Sequence, residues 1–142
     1  MNKVIYLLIT LLITLVIKGC SKQDGKSSVK ESLIGEWQWV RSDGGFAFHI
    51  HETPITTGKN IDLKITFDGK YSIYTNNVLT SSGTYTLETR QCIHDHTNKT
   101  FVNFSSDPGF MVETIDNDLL GVSDEAHDGI GSNYKRKNLN GN

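Results

Sequence analysis

Apolar and polar residues alternate along most of the chain after residue 33. In the segment NIDLKITF, Ile61, Leu63, Ile65 and Phe67 fall on one side of an extended strand, and the polar residues between them fall on the other. A period of two residues is typical of an antiparallel sheet with one buried face and one solvent-exposed face. The pattern predicts about eight strands and no substantial helix; the strand segments are GEWQWVR, NIDLKITF, KYSIYT, GTYTLE, TFVNF, FMVETI, LLGVS and SNYKRK.

Turn sequences lie between these predicted strands. Asp68-Gly69 is a strong signal for a two-residue hairpin, and Asn76-Asn77 predicts a second tight turn. Asp107-Pro108-Gly109 and Asp116-Asn117 are turn clusters farther along the chain. Eight strands joined by hairpins close most simply as an up-and-down barrel, so the predicted fold class is all-β, with a single small antiparallel β-barrel.

The first twenty residues follow a different pattern. Lys3 is followed by a mostly apolar run over residues 4–17, and the stretch ends in Ile17-Lys18-Gly19-Cys20. The apolar run has the length of a signal-peptide core and is shorter than the roughly 20 residues of a membrane-spanning helix. Its ending resembles the lipobox of bacterial lipoproteins. The resemblance implies that residues 1–19 are a lipoprotein signal peptide, and that Cys20 is acylated and anchors the protein to a lipid bilayer.

The chain after the predicted cleavage site divides into three parts. Residues 20–31 are polar and lack an apolar period, so we expect an acylated cysteine followed by a flexible tether. Residues 32–138 form the predicted barrel domain, and residues 139–142 form a short C-terminal tail. The expected location is the cell envelope at the outer membrane, on its periplasmic or surface-exposed face.

The charge of the chain limits its partners. The full sequence has 14 basic and 16 acidic residues, and loss of Lys3 and Lys18 with the signal peptide leaves 12 against 16, a net charge of −4. An acidic surface of this kind argues against nucleic acid as a partner, because nucleic acids are bound mainly through basic side chains.

A second resemblance covers roughly residues 33–137. Gly35-Glu36-Trp37 resembles the G-x-W motif of lipocalins and related calycin barrels. The order of short motifs along the chain is similar to that of small lipocalin-like lipoproteins of the Bacteroidota. The resemblance implies that Trp37 closes one end of the barrel, with Gly35 beside it, and that Arg136 packs across the Trp37 ring. The other matching segments are Leu33-Ile34, Thr57-Gly58-Lys59, Asp68-Gly69-Lys70-Tyr71, Gly83-Thr84-Tyr85 and Tyr134-Lys135-Arg136.

The barrel interior suggests the leading functional hypothesis. An eight-stranded barrel is either filled by its own side chains or holds one small ligand. The connection over residues 42–59 exceeds an ordinary hairpin loop, and in the lipocalin-like family it lies over the barrel mouth. We therefore hypothesise a binding module for a small, partly apolar ligand. The residues predicted to face inward are Trp39, Phe46, Phe48, Phe67, Tyr71, Tyr85, Phe101 and Leu120; the candidates at the mouth are Trp39, Phe46, Phe48, Tyr71 and Tyr85.

Two histidine-rich stretches suggest an alternative. In QCIHDH, Cys92, His94 and His96 alternate, and in HIH, His49 and His51 do the same. Alternate residues of a strand share one face, so these side chains could supply the four nitrogen or sulfur ligands of a zinc or copper ion if the two stretches met at one rim. The competing interpretation is that they form solvated strand faces.

A further alternative is an interaction or inhibitor lipoprotein with a filled barrel, which would contact a protein of the envelope through its loops. The sequence lacks the G-x-S-x-G elbow, the phosphate loop and the H-E-x-x-H zinc motif, so we do not expect an enzyme. We expect no cofactor unless the histidine-rich stretches bind zinc or copper.

Overall fold

The computed structural model describes residues 25–137, which form a closed barrel of eight antiparallel strands with one extra strand and few helices. The predicted signal peptide, Cys20 and the C-terminal tail lie outside the described residues. The helical elements are α1 (Gly25–Leu33), a 3-10 helix (Phe46–Phe48) and α2 (Pro54–Thr57). The strands are β1 (Gly35–Gly44), β2 (Ile50–Glu52), β3 (Ile61–Ile65), β4 (Lys70–Thr75), β5 (Val78–Gln91), β6 (Asn98–Phe104), β7 (Phe110–Ile115), β8 (Leu119–Ser123) and β9 (Ile130–Arg136).

Strand β1 closes the barrel because it pairs on both edges. Strands β3 to β9 follow one another as antiparallel neighbours, and β1 pairs with β3 on one edge and with β9 on the other. Trp37 therefore lies opposite Leu63 on one side and Arg136 on the other. On the same edge of β1 as β3, residues 42–44 pair with the extra strand β2. The eight predicted strands and the predicted meander order are confirmed.

The predicted turns are present at their expected positions. Gly69 adopts a left-handed backbone conformation, with φ of 82°, between β3 and β4. Asn76 and Asn77 have φ values of 53° and 66° between β4 and β5. Two successive left-handed residues match the twist of the flanking strands, and asparagine tolerates this conformation better than most residues.

Large apolar side chains occupy the interior of the barrel. The inward positions of consecutive strands contribute one buried cluster, as the alternation predicts. Its buried members are Leu33, Trp37, Leu63, Ile65, Tyr71, Tyr85, Val102, Val112, Leu120 and Val122. Close packing of this kind is the main source of stability in a domain of this size.

Helix α1 differs from the expected tether. Residues 25–33 are helical, Leu33 is completely buried, and Val29 packs against the interior cluster. The two apolar residues are four positions apart and so fall on one face of a helix, where the barrel end buries them. None of the helices between residues 25 and 137 is long and apolar enough to cross a membrane.

Three of the predicted inward residues are exposed instead. Phe46 and Phe48 lie in the 3-10 helix, and each exposes 75% of its surface. Phe67 lies beyond the end of β3, in the turn to β4, and is 72% exposed, with the Lys30 ammonium 5.1 Å from its ring centre. The prediction was wrong for these three residues because the strand that precedes each of them ends before reaching it.

Phe101 is buried, but on the outer face of the barrel. Phe101 and Val102 are successive residues of β6 and both are buried, although neighbouring residues of a strand point to opposite faces. Val102 belongs to the interior cluster, whereas Phe101 forms a separate cluster with Cys92 and Met111. We call these three residues the outer cluster. The barrel wall at β6 and β7 is therefore covered on both sides.

Candidate functional site

The closed end of the barrel is built around Trp37. The Trp37 Nε1–H group donates to the Leu33 carbonyl at 2.8 Å, and the Arg136 guanidinium carbon lies 4.0 Å from the ring centre. Arg136 also donates to the carbonyls of Ile34 and Ser32. Gly35 has a φ of 142°, which residues with a Cβ atom rarely adopt, and a Cβ atom there would lie 2.4 Å from the Arg136 Nη1, so glycine suits this position.

The opposite end carries an exposed apolar surface. Phe46 and Phe48 are each 75% exposed, and Ile55, in α2, is 95% exposed. We call these three residues the apolar tip. All three belong to the long connection between β1 and β3. Isolated exposed apolar residues are common on proteins, so the notable feature is that three large ones belong to one connection.

The backbone that presents the two phenylalanines is unusual. Ala47 and Phe48 adopt left-handed conformations, with φ values of 57° and 53°. The left-handed conformation destabilises a residue other than glycine by roughly 1–2 kcal/mol, because the Cβ atom approaches the following carbonyl. The Phe48 N–H donates to the Gly45 carbonyl at 2.9 Å, and the Gly45 N–H donates to the Gly129 carbonyl at 3.3 Å. The fold thus holds a strained segment in place and turns its aromatic rings to solvent.

Helix α2 supports the rest of the apolar tip. The Thr53 hydroxyl accepts from the Thr56 N–H at 3.2 Å, and the Thr53 N–H donates to the Thr56 hydroxyl at 2.8 Å, which together form a capping box. Pro54 occupies the first turn, and Gly58 ends the helix in a left-handed conformation. These caps fix the single turn that carries Ile55, so the exposed side chain is held on an ordered element.

The remaining mouth candidates lie in the barrel wall and core. Tyr71 and Tyr85 belong to the interior cluster, and Trp39 is buried as well. Their polar groups have partners within the protein: the Tyr71 hydroxyl donates to the Asp107 carboxylate, and the Tyr85 hydroxyl donates to the Thr66 carbonyl at 3.1 Å. Burial raises the pKa of Tyr85 above its usual value. These two tyrosines therefore act as core residues.

A bulge in β1 explains the environment of Trp39. The register shifts between Trp39 and Arg41, which turns Ser42 to the same side as the indole. The Trp39 Nε1–H donates to the Ser42 hydroxyl at 2.9 Å, and this hydroxyl lies 2.7 Å from that of Ser132. A small, partly buried polar contact thereby joins the two strands β1 and β9.

The QCIHDH stretch is a turn and not a strand. Strand β5 ends at Gln91, the His96 N–H donates to the Cys92 carbonyl at 3.1 Å, and His96 is left-handed with φ of 57°. Cys92 is buried in the outer cluster, whereas His94 and His96 are exposed. The prediction that these three residues share one face was wrong, because the alternation ends with the strand.

The HIH stretch also has other contacts than the predicted ones. His49 follows the 3-10 helix and its ring hydrogen-bonds the Phe46 carbonyl. His51 lies in β2 and its Nδ1 is 3.0 Å from the Asp43 carboxylate. Within residues 25–137, no three His, Cys, Asp or Glu side chains are grouped so that they could hold a metal ion. The predicted ligand set therefore does not converge.

Two loops meet over the outer cluster, a contact that the sequence did not predict. The Arg90 guanidinium lies 3.5 Å from the Phe101 ring centre, and its Nη1 is 2.5 Å from the Glu125 carboxylate. The same carboxylate accepts from the Ile93 N–H at 3.1 Å. The rings of His94 and His127 meet edge to face with centres 5.5 Å apart. Successive apolar pairs in β6 and β7, Phe101-Val102 and Met111-Val112, are the sequence signal of this second buried face.

Two shallow grooves lie on the outer wall of the barrel. One encloses about 350 Å³ over β7, β8, β9 and β1, with Gly121 and Gly131 on its floor and Asp43 and Glu113 beside it. The other encloses about 210 Å³ and is lined mainly by charged side chains. A site for a partly apolar ligand is expected to enclose most of the ligand, whereas both of these grooves are open to solvent and most of the residues that line them are polar or charged.

Comparisons with protein-family models, with curated proteins and with solved structures found no match to this chain.

Proposed function

We propose that this chain is a lipid-anchored lipoprotein of the bacterial cell envelope, whose lipocalin-like barrel binds an envelope protein through the apolar tip. The observation that carries the proposal is the exposure of 75–95% at Phe46, Phe48 and Ile55, on a connection held by caps and strained backbone. The anchor is proposed from the lipobox-like sequence that ends at Cys20. In this proposal the barrel is a rigid support for the apolar tip.

The direction of β1 supports a partner other than the anchoring leaflet. The chain enters the barrel through α1 and Gly35, and it reaches the apolar tip only after the ten residues of β1. An extended strand of this length spans roughly 33 Å along its own axis. With the anchor at the α1 end, an upright barrel presents the apolar tip on the side away from the bilayer.

The charge of the connection favours protein over lipid. Residues 45–60 contain one acidic residue, Glu52, and one basic residue, Lys59. Surfaces that bind anionic membranes combine apolar side chains with clustered lysine and arginine, each worth about 1 kcal/mol near the surface. The connection lacks such a cluster, so its attraction is mainly apolar.

The size of the apolar tip indicates a weak contact that the anchor would strengthen. Buried phenylalanine or isoleucine contributes about 1.5–3 kcal/mol, so the three side chains offer on the order of 4.5–9 kcal/mol before the cost of association. Two copies meeting tip to tip would bury less than the roughly 1,200 Å² of a stable interface, which favours a different partner with further contacts. Confinement to one membrane raises the effective concentration of both partners.

One experiment tests the anchor. Cys20→Ser should move the protein from the membrane fraction to the soluble fraction of the cell, because the acylated thiol is lost. A variant that stays in the membrane fraction would contradict the lipid anchor.

A second experiment tests the apolar tip separately. A photoreactive residue is placed at position 55 of the anchored protein, and crosslinks are formed in intact cells. We expect one discrete adduct that disappears when Phe46 and Phe48 are both replaced by serine. Phe67→Ser is the matched control, because Phe67 is equally exposed but lies in another turn. Equal adducts in all three proteins would refute the tip as the binding surface. Binding of the Cys20→Ser protein to phosphatidylglycerol vesicles that required Phe46 and Phe48 would indicate a membrane contact instead.

A further inference from the structure

The outer cluster lies beneath Arg90, and a neighbouring loop is joined to this part of the barrel through Glu125. Cys92, Phe101 and Met111 are only 2–4% exposed although they lie outside the barrel wall. We call residues 124–129, between β8 and β9, the cover loop. Glu125 is the member whose side chain turns inward, at 19% exposure, while Asp124, Ala126, His127 and Asp128 are exposed. The cover loop thus contributes no large apolar side chain of its own.

The Glu125 carboxylate fastens the cover loop at two points. One oxygen is 2.5 Å from Arg90 Nη1, and the other accepts from the Ile93 N–H at 3.1 Å. Arg90 in turn lies flat on the Phe101 ring. The ion pair therefore connects the cover loop to the cluster beneath it and to the turn that follows β5.

The base of the cover loop is a separate unit. The Asp124 carboxylate accepts from the Ala126 N–H at 3.3 Å and from the Ile130 N–H at 3.0 Å. The Asp124 N–H donates to the Ile130 carbonyl at 3.2 Å. These bonds close the loop on itself, and the Gly129 carbonyl accepts from the Gly45 N–H at 3.3 Å; none of these bonds involves Glu125. Segments with few buried apolar contacts open locally without unfolding of the whole domain.

We propose that the cover loop is a latched lid: release of Glu125 from Arg90 and Ile93 lifts it and exposes the outer cluster, with the Cys92 thiol, to solvent. This inference does not depend on the lipid anchor or on the apolar tip.

Alkylation of Cys92 measures the opening. The full chain carrying Cys20→Ser has Cys92 as its single cysteine. N-ethylmaleimide then reports the open state, because the thiolate adds to the maleimide double bond and a solvent proton completes the adduct. The rate is followed by mass spectrometry under native conditions. We expect Glu125→Gln to increase the rate about tenfold, as for loss of a partly buried ion pair.

Glu88→Gln is the matched control. The Glu88 carboxylate lies 3.9 Å from Arg90 Nε and is 54% exposed, so its loss removes a neighbouring charge without releasing the cover loop. We expect its alkylation rate to stay within about twofold of the parent rate, as for an exposed pair. The urea midpoints of all three proteins should remain close, which separates loop opening from a loss of overall stability.

Two results would overturn the latched lid. The first is an equal alkylation rate in the Glu125→Gln and Glu88→Gln proteins. The second is a parent rate whose dependence on urea has the full slope of global unfolding, since Cys92 would then be reached only in the unfolded chain.

Discussion

The Arg136 guanidinium lies 4.0 Å from the Trp37 ring centre and at the same time donates to the carbonyls of Ile34, at 2.7 Å, and Ser32, at 2.6 Å. One side chain from the last strand therefore joins the end of α1, the residue that precedes β1 and the buried indole of Trp37. The planar fork of arginine suits this arrangement, because it donates in several directions and stacks on an aromatic face.

Replacing Arg136 by lysine should weaken the closed end. Lysine keeps the charge but cannot donate to both carbonyls while lying on the ring, so we expect the free energy of unfolding to fall by about 2–4 kcal/mol. Urea denaturation measures the change. Lys135→Ala is the control, since Lys135 is an exposed neighbour on the same strand. A loss for Arg136→Lys no larger than for the control would contradict the role of the fork.

Trp37 should be the more sensitive partner. Trp37→Ala leaves a cavity at a completely buried position, and we expect a loss of about 3–5 kcal/mol. Trp37→Phe retains an aromatic ring but removes the donor to the Leu33 carbonyl, so its loss should be smaller. Thermal melting of the two variants provides the comparison. An unchanged melting temperature in Trp37→Ala would show that the indole does not close the barrel.

Asp107 should make the stability of the barrel depend on pH. Hydrogen bonds from the Ser81 and Tyr71 hydroxyls hold the pKa of Asp107 below its usual value of 3.8. A carboxylate with a lowered pKa in the folded state stabilises the protein above its unfolded pKa, and this contribution is lost as the pH falls through the folded pKa. We therefore expect the free energy of unfolding to decrease below about pH 4.

Asp107→Asn should remove part of that decrease, and Ser81→Ala should shift it to higher pH. Ser82→Ala is the control, because Ser82 is the exposed neighbour of Ser81 on β5. Urea denaturation between pH 2.5 and 6 records the profiles. Identical profiles for Asp107→Asn and the parent would exclude Asp107 as a source of the dependence.

Ala47 should be one of the positions where glycine stabilises the protein. Its left-handed φ of 57° is strained for alanine and relaxed for glycine, so relief of strain exceeds the added entropy of the unfolded chain. We expect Ala47→Gly to raise the free energy of unfolding by about 0.5–1 kcal/mol. Ala126→Gly, at an exposed loop position without a left-handed φ, should leave it unchanged or lower it. A lower stability for Ala47→Gly would mean that the segment is not strained.

The strands were predictable from sequence because one face of each is buried and the other is wet. Ile61, Leu63 and Ile65 illustrate this alternation. The turn residues Asn76-Asn77 mark where one strand ends and the next begins. The rule failed wherever burial did not follow a strand. Phe67 continues the alternation in the sequence, but strand β3 ends at Ile65, so the Phe67 ring is exposed.

The candidate sites were harder to predict than the fold. Cys92 and His94 alternate in sequence as strand neighbours would, but a hydrogen-bonded turn separates a buried thiol from an exposed imidazole. The ring of Phe101 is covered by Arg90, which pairs with Glu125, a residue distant in sequence. A single sequence contains no signal for such long-range contacts. Helix α1 was predicted as a tether, because the spacing of Val29 and Leu33 covers little more than one helical turn and is too short a pattern to indicate a helix.

Hydroxyl-radical footprinting in the native envelope tests the central claim most directly. Phe46, Phe48 and Phe67 are similarly exposed, at 72–75%, so the purified Cys20→Ser protein should be oxidised at similar rates at all three. In intact cells, the acylated protein should show protection at Phe46 and Phe48 and none at Phe67, because a bound partner covers the apolar tip. Oxidation of Phe46 and Phe48 as fast as Phe67 in intact cells would contradict the proposed function.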